Sequence, residues 1–465
     1  MTYPQGHYAP GPGHQPTGRP RPGAAPMPQG APSFQANPHY VDYGNPRAYD
    51  TSVRPATGLT RARHAPAQIS RPNTAQPQSA WATQTRRIQQ VADEKALVPF
   101  AKMAMWIAVI LLGMALVLVL GYFFLDYIIG SSSNPIWWPI SAFLAFFSLL
   151  VIFCTALLAD RWDPQPIGLL LVAVLWGAAI ATFVSYWVNT LGSMVVYTLF
   201  GEAAANFYGP VISAPIVEEI TKGLALLLLL FLARRYFNGP LDGLIYGMLA
   251  GGGFAFTENI IYYTRTYDDA GVGGLIFIVV IRGVLNIFGH AIYTGLTGVV
   301  MGFVARKWGT IPGALSFVVA LIPGMLLHAA WNFTAGLGGG LIVLLLMFGG
   351  QALITLIFIF AILILLWDEA RLTRVRLGDY ANHGWLTHEE VNMLATWRGR
   401  REGKRWAASF GAKRLMKRFI REAADLASVR QRLLADGQDP KAVKHEAALL
   451  NQLTRNRQEL LQATR

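Results

Sequence analysis

The chain of 465 residues holds a single cysteine, Cys154, so it has no means to build a disulfide framework or a cysteine-based zinc site. Charge is scarce as well. Asp, Glu, Lys and Arg make up 14% of the residues against 53% that are hydrophobic. That balance suits a polytopic membrane protein with soluble extensions better than a globular enzyme. No His-Glu-x-x-His motif occurs, which removes the ordinary zincin arrangement. No Gly-x-Ser-x-Gly and no Ser–His pair marks a serine nucleophile, and nothing singles out Ser213 for that role. A cleavable signal peptide is also missing, so targeting is expected from the first spanning helix. The excess is in positive charge: 39 Lys and Arg against 26 Asp and Glu, a formal net charge of +13. With so apolar a middle, this is read as charge facing an anionic membrane surface, and no nucleic-acid partner is expected.

Composition divides the chain into three. Residues 1–95 are rich in Pro, Gly and Gln without hydrophobic periodicity, and are expected to be a disordered cytoplasmic tail. Residues 96–367 carry apolar runs long enough to span a bilayer. The runs are Met103–Ile128, Trp137–Ala159, Ile167–Val188, Pro210–Ala233, Leu241–Tyr263, Leu275–Ala305, Ile311–Ala335 and Leu341–Trp367. The expectation is an all-α bundle of about eight transmembrane helices, the sixth of them tilted or broken. Asn189–Gly209 is too polar to span and is left as an interfacial segment, a re-entrant segment or an outer loop. Residues 368–465 are charged and helical in pattern, with a capping box at Thr387-His-Glu-Glu390, a basic amphipathic stretch Lys404–Ala424 and a turn at 437–440. This last part is expected to rest near anionic lipid as a cytoplasmic hairpin. Arg161, Arg234-Arg235 and Arg306-Lys307 fall between alternate runs, which places both termini in the cytoplasm and the protein in the cell membrane.

Inside the spans, a handful of ionisable residues stand out against the apolar background. They are Glu218, Glu219, Lys222, Glu258, Arg282, His290 and His328. Charges at such depth cost about 2.5–3.5 kcal/mol each on insertion scales and usually mark function. At 1.5 Å rise per residue, Glu218, Glu258 and His328 fall roughly 12, 8 and 11 Å from one membrane face, whereas His290 falls about 22 Å down, near the middle. Glu218 and Lys222 share a helix face and are expected to neutralise each other, leaving Glu219 to a partner elsewhere. His328 and Asn332 are four apart, and Arg282, Asn286 and His290 form an i, i+4, i+8 polar stripe. Lys222 and Arg282 are read as electrostatic, Asn259 and Asn286 as interhelical hydrogen-bonding groups, and Asp242 as an acid suited to a helix start. Gly251-Gly-Gly253 allows the fifth helix a close approach to its neighbours. A carboxylate beside imidazoles in a water-holding cavity can activate water for attack on an amide carbonyl, directly or through a metal. Two His and one Glu (Glu258, His290 and His328) would satisfy a Zn(2+) site with one open position.

These residues carry a resemblance. Glu218-Glu219-x-x-Lys222, Phe254-Ala-Phe-Thr-Glu258-Asn259, Gly289-His290-Ala-Ile-Tyr-Thr-Gly and His328-x-x-x-Asn332 together resemble the PrsW-type intramembrane proteases, related to the CAAX prenyl endopeptidase and bacteriocin-processing superfamily. The likeness covers roughly residues 160–367. It implies a hydrolase acting on membrane-anchored protein substrates, with Glu218 as the water-activating carboxylate and Glu219 supporting it. Glu258, His290 and His328 would complete the catalytic site, and Asn332 would stabilise the developing oxyanion. Two other readings stay open on the residues alone: a proton- or ion-coupled transporter, and a non-catalytic membrane scaffold or sensor.

Overall fold

The computed structural model describes residues 97–130, 134–338, 340–382, 385–437 and 440–464. The expected tail over residues 1–95 lies outside them, as does part of the turn expected at 437–440. Every regular element among the described residues is helical, and no strand occurs. Helices α1 (Leu97–Gly130) and α2 (Trp137–Ala159) come first. Helix α3 covers Ile167–Phe200, with a wide π turn at Trp176–Ala181. The short α4 (Glu202–Tyr208) leads through a second π turn, Gly209–Ser213, into α5 (Ala214–Leu232). Helix α6 (Pro240–Ile278) ends in a third, Val279–Leu285, before α7 (Gly289–Trp308). Then follow α8 (Thr310–Leu315), α9 (Phe317–Gly336) and the long α10 (Leu341–Asn382). The last four are α11 (His388–Leu394), α12 (Trp397–Ala408), α13 (Lys413–Ala435) and α14 (Pro440–Gln462).

The result is an all-α polytopic membrane bundle. Its outer surface is apolar, with Leu118, Val318 and Leu326 between 65% and 74% exposed, as a lipid-facing surface requires. Six helical stretches among the described residues are long and apolar enough to cross a membrane. Two features account for the difference from the eight expected runs. Pro240–Trp308 is one continuous helical stretch holding two packed helices, α6 and α7. Helix α5 carries Glu218, Glu219 and Lys222, too many charges to qualify by composition. Asn189–Phe200, expected not to continue the span, is the helical second half of α3; its polar groups bond locally, as when Thr190 and Thr198 donate to the carbonyls four residues back. The sixth run is indeed broken, where regular helix lapses at Asn286–Phe288; Gly271, at φ 64°, ψ −157°, turns the chain back in the connection just before that run.

Helix α6 is the centre of the bundle because small residues let backbones touch it. A Cβ at Gly243 would lie 2.0 Å from the Gly298 carbonyl oxygen, and one at Gly251 would lie 2.1 Å from that of His290. Gly253 meets the Val174 carbonyl of α3 in the same way. Without a hydrophobic drive between helices in lipid, such backbone contact is what holds a pair together. Here it also determines where His290 sits relative to Glu258.

Helices α11–α14 build a second core around Leu377, Tyr380, Leu394, Phe419, Leu426 and Leu450. The capping box is present, with Thr387 and Glu390 bonding each other's backbone N–H. This unit does not merely rest nearby. Helix α13 is tied to three connections at one end of the bundle: Asp425 pairs with Arg235 and Asp436 with Arg234, both at 3.0 Å, Ser428 donates to Asp163, and the Thr310 N–H donates to Asp436. Arg400 of α12 lies 3.5 Å from the centre of the Trp162 ring and donates to the Trp162 carbonyl.

Candidate active site

Pro215 sits in the first turn of α5, where its missing N–H costs nothing, and the charged residues follow within two turns. Both Glu219 and Lys222 are fully buried. The short ion pair is Lys222 Nζ to Glu219 Oε1, at 2.6 Å, while Glu218 Oε2 stands 3.7 Å away. The i, i+3 neighbour therefore takes the cation that the i, i+4 spacing had assigned to Glu218. Glu219 is further engaged by the Thr294 hydroxyl at 2.8 Å and by His328 Nδ1 at 3.1 Å.

Glu218 is left under-used. Its Oε1 accepts only a long bond from Asn189, 3.4 Å, and its Oε2 is buried without a hydrogen-bond partner among the described residues. Such an atom is expensive to leave bare in a low-dielectric interior, so its surroundings point to what it would hold.

Glu258 projects from α6 at the same level. Arg282 Nη2 binds its Oε2 at 2.5 Å while Arg282 Nε donates to Asn259, so the adjacent pair is clamped by one guanidinium. His290 Nε2 lies 2.9 Å from that same Glu258 oxygen, and His290 Nδ1 lies 3.1 Å from Lys222. His290 therefore shares the layer with Glu218 and Glu258. Its expected position near the mid-membrane is corrected: the wide turn Val279–Leu285 and the break at Asn286–Phe288 use up residues that a straight helix from Leu275 would have spent on depth. The same break overturns the Arg282, Asn286, His290 stripe. Asn286 lies at the break with its Oδ1 unpartnered among the described residues, and Arg282 points to α6. Asn332 donates to the Pro210 carbonyl at 2.8 Å.

Sequence reasoning missed two contributors. Thr294, four residues after His290, carried the helical spacing that would have found it. Asn189 had no such signal, because its stretch looked too polar for a span. Tyr293 adds a wall, its ring stacked 5.1 Å from His328 with planes 17° apart.

The residues fit a divalent cation. Glu218, His290 and His328 each offer one atom, all within 4.8 Å of one another. Ligands of a tetrahedral ion with bonds near 2.1 Å stand about 3.4 Å apart, a difference within reach of side-chain rotation. The trio differs from the expected Glu258, His290 and His328: Glu258 is held by Arg282, whereas Glu218 has the bare oxygen. His328 is backed through Nδ1 by Glu219, as metal-binding imidazoles usually are, whereas on His290 Nε2 meets Glu258 and Nδ1 meets Lys222, which would have to swing aside for that nitrogen to reach the ion. Three acids face two strong bases here, which with neutral imidazoles leaves one negative charge uncompensated.

This layer lies inside residues 165–366, the stretch that matches the profile of the PrsW family intramembrane metalloprotease. Residues 165–366 of this chain are similar to that family. The chain is 25% identical over 231 residues to Protease PrsW of Clostridioides difficile (strain 630), a match covering 48% of this chain and 84% of that protein. It is also 25% identical over 181 residues to Protease PrsW of Bacillus subtilis (strain 168), covering 38% of this chain and 73% of that one. No solved structure matches. This likeness supports an intramembrane peptidase, and the transporter reading gains no support. The matched stretch, residues 165–366, runs from the start of α3 into α10.

Proposed function

We propose that this chain is an intramembrane peptidase that hydrolyses peptide bonds in single-span, membrane-anchored proteins, with Glu218 as the group that takes the proton from the attacking water. The observation that carries this reading is the buried, unpartnered Glu218 Oε2 beside two histidines that each meet a carboxylate. As water oxygen bonds to the amide carbon, one proton passes to Glu218. The C–N bond then breaks as that proton is delivered to the departing nitrogen. Glu219 orients His328, Glu258 orients His290, and Lys222 stabilises the anionic layer from below. Arg282 holds Glu258 in place, and Asn259 steadies Arg282. His290, His328 and one oxygen of Glu218 would hold the cation, taken as Zn(2+), which when bound would polarise the scissile carbonyl, the other Glu218 oxygen being left to take the proton. Asn332, engaged by Pro210 here, is a positioning residue for the start of α5 in this reading.

The basic connections and helices α11–α14 share one end of the bundle, which supports placing that end in the cytoplasm. The active layer then lies in the outer half of the bilayer, facing the extracytoplasmic juxtamembrane part of a substrate. Reconstitution with single-span substrates tests the proposal. Glu218→Gln and His328→Ala should each lower cleavage by at least 10³-fold while Asn332→Ala keeps a measurable rate. Unchanged cleavage by both of the first two variants would remove the assignment.

A further inference from the structure

Helix α13 is longer than the bundle end it braces. Four of its contacts with the bundle fall on one stripe, Asp425, Ser428 and Arg432, with Asp436 just beyond the last turn, and Gln431, which donates to the Arg306 carbonyl, lies beside it. At 100° per residue the four stripe positions lie within about 80° of one another. They touch three separate inner connections, those at Asp163, at Arg234-Arg235 and at Thr310. A straight helix that meets three loops at one end of a bundle must run across that end, in the plane of the membrane surface. Traced backward by the same 100° step, the stripe continues through Arg421, Arg418 and Arg414. All three are exposed, and none forms an ion pair with another described residue. Arg421 is at the margin of the bundle, close enough to Asp160 to bias that carboxyl toward its charged form. Arg414 and Arg418 lie one and two turns farther out, at about 1.5 Å per residue.

Beside this stripe, α12 starts at the membrane boundary. Trp397, 43% exposed, packs edge-on against Trp162, three residues past the end of α2. An indole at that level is the usual marker of the headgroup region.

We propose that Arg414, Arg418 and Arg421 form a docking face for anionic phospholipid headgroups of the inner leaflet. The face continues the stripe that grips the bundle and extends it sideways over the lipid. Two arguments commit it to lipid: three unpaired guanidiniums are complementary to headgroup phosphates, and the stripe points toward the plane in which headgroups lie. This inference rests on the cytoplasmic placement of α11–α14 and not on the assignment of the active site.

Hydrogen exchange of the full-length protein in nanodiscs tests it, read on peptides covering 413–421. Each basic residue near an anionic surface favours contact by about fivefold, so three allow a large shift that salt reduces. Opening of this segment should slow at least tenfold when phosphatidylcholine discs are replaced by discs with 30% phosphatidylglycerol, and revert in high salt. Arg414→Gln, Arg418→Gln and Arg421→Gln combined should abolish the lipid response while peptides of α14 keep their protection. Equal exchange in both disc types overturns the proposal. So does equal protection in phosphatidylcholine discs by millimolar inorganic phosphate or by a short RNA, since the face would then read free phosphate or nucleic acid. Loss of peptidase activity in Glu218→Gln leaves this test unaffected, so the two readings fail separately.

Discussion

Substituting Gly251 with alanine tests the link between backbone packing and chemistry. The added Cβ would lie 2.1 Å from the His290 carbonyl oxygen and 2.6 Å from its carbon, both backbone atoms that no rotamer change can move. A carbon and a carbonyl oxygen approach to about 3.3 Å at closest, so α6 and α7 must part by roughly 1.2 Å there. His290 would then be drawn from Glu258, now 2.9 Å away, and from the trio it forms with Glu218 and His328. Misplacement of a reacting group by about 1 Å costs on the order of 10²-fold in rate. The assay is cleavage of a single-span substrate in proteoliposomes, with thermal unfolding in parallel. Two controls calibrate it. At Gly252 the nearest atom is a methyl of Ile152, 2.8 Å away, which can rotate aside, and at Gly113 nothing lies within 4 Å. The expected order of activity is Gly113→Ala, then Gly252→Ala, then Gly251→Ala far below. If Gly251→Ala keeps more than half the activity of the native protein, the argument that this contact places His290 is wrong.

Arg282→Ala should lower stability by about 3 kcal/mol, because it leaves Glu258 buried without its cation; unfolding in detergent measures this, and Arg282→Lys should recover part of it. Metal analysis of purified protein should find about one zinc per chain, lost in His290→Ala and His328→Ala and retained in Glu258→Gln, since Glu258 is held by Arg282 rather than offered to the ion. Burial pushes the carboxyl of Asp160 up to about 7, against the lowering bond from Gln165, and burial likewise raises Asp163 to about 7. Folded carboxyls with raised values bind protons that the unfolded chain has released, so docking of α11–α14 should be firmest below about pH 4 and weaken as pH climbs to 7. Exchange protection of α13 measured across that range checks the sign, and Asp160→Asn with Asp163→Asn should flatten the profile.

Much of the site was legible from single residues. Charges that cannot be scattered through a bilayer without cost announced Glu218, Glu219, Lys222 and Glu258, and helix rise alone placed Glu218, Glu258 and His328 together. The glycines at Gly251 and Gly253 announced the close approach that the backbone contacts show. His290 escaped the depth argument because constant rise holds only for unbroken helix. The expected Glu218–Lys222 pair is there at 3.7 Å, but the closer pairing with Glu219 at 2.6 Å was not foreseen, because i, i+3 and i, i+4 spacings both bring Lys222 within reach and only side-chain packing ranks them. Asn189 was missed because polarity was taken as the end of a span, although α3 continues through it. The grip of α13 on the bundle joins residues about two hundred positions apart, such as Arg234 and Asp436, and no local pattern announces such pairs.

Three wide turns, at Trp176–Ala181, Gly209–Ser213 and Val279–Leu285, flank the layer that holds Glu218. Each contains one residue more than a regular turn needs, and so twists everything before it by about 100° relative to everything after it. The face that Glu218 presents inward is therefore decoupled from the one that α4 presents outside. A single deletion within Gly209–Ser213 would restore an ordinary helix and swing the Pro210 carbonyl off Asn332 while leaving the charged cluster in register. Length changes in the segment before this turn can thus be absorbed there, and variation in what approaches the bundle need not disturb the charged cluster around Glu218.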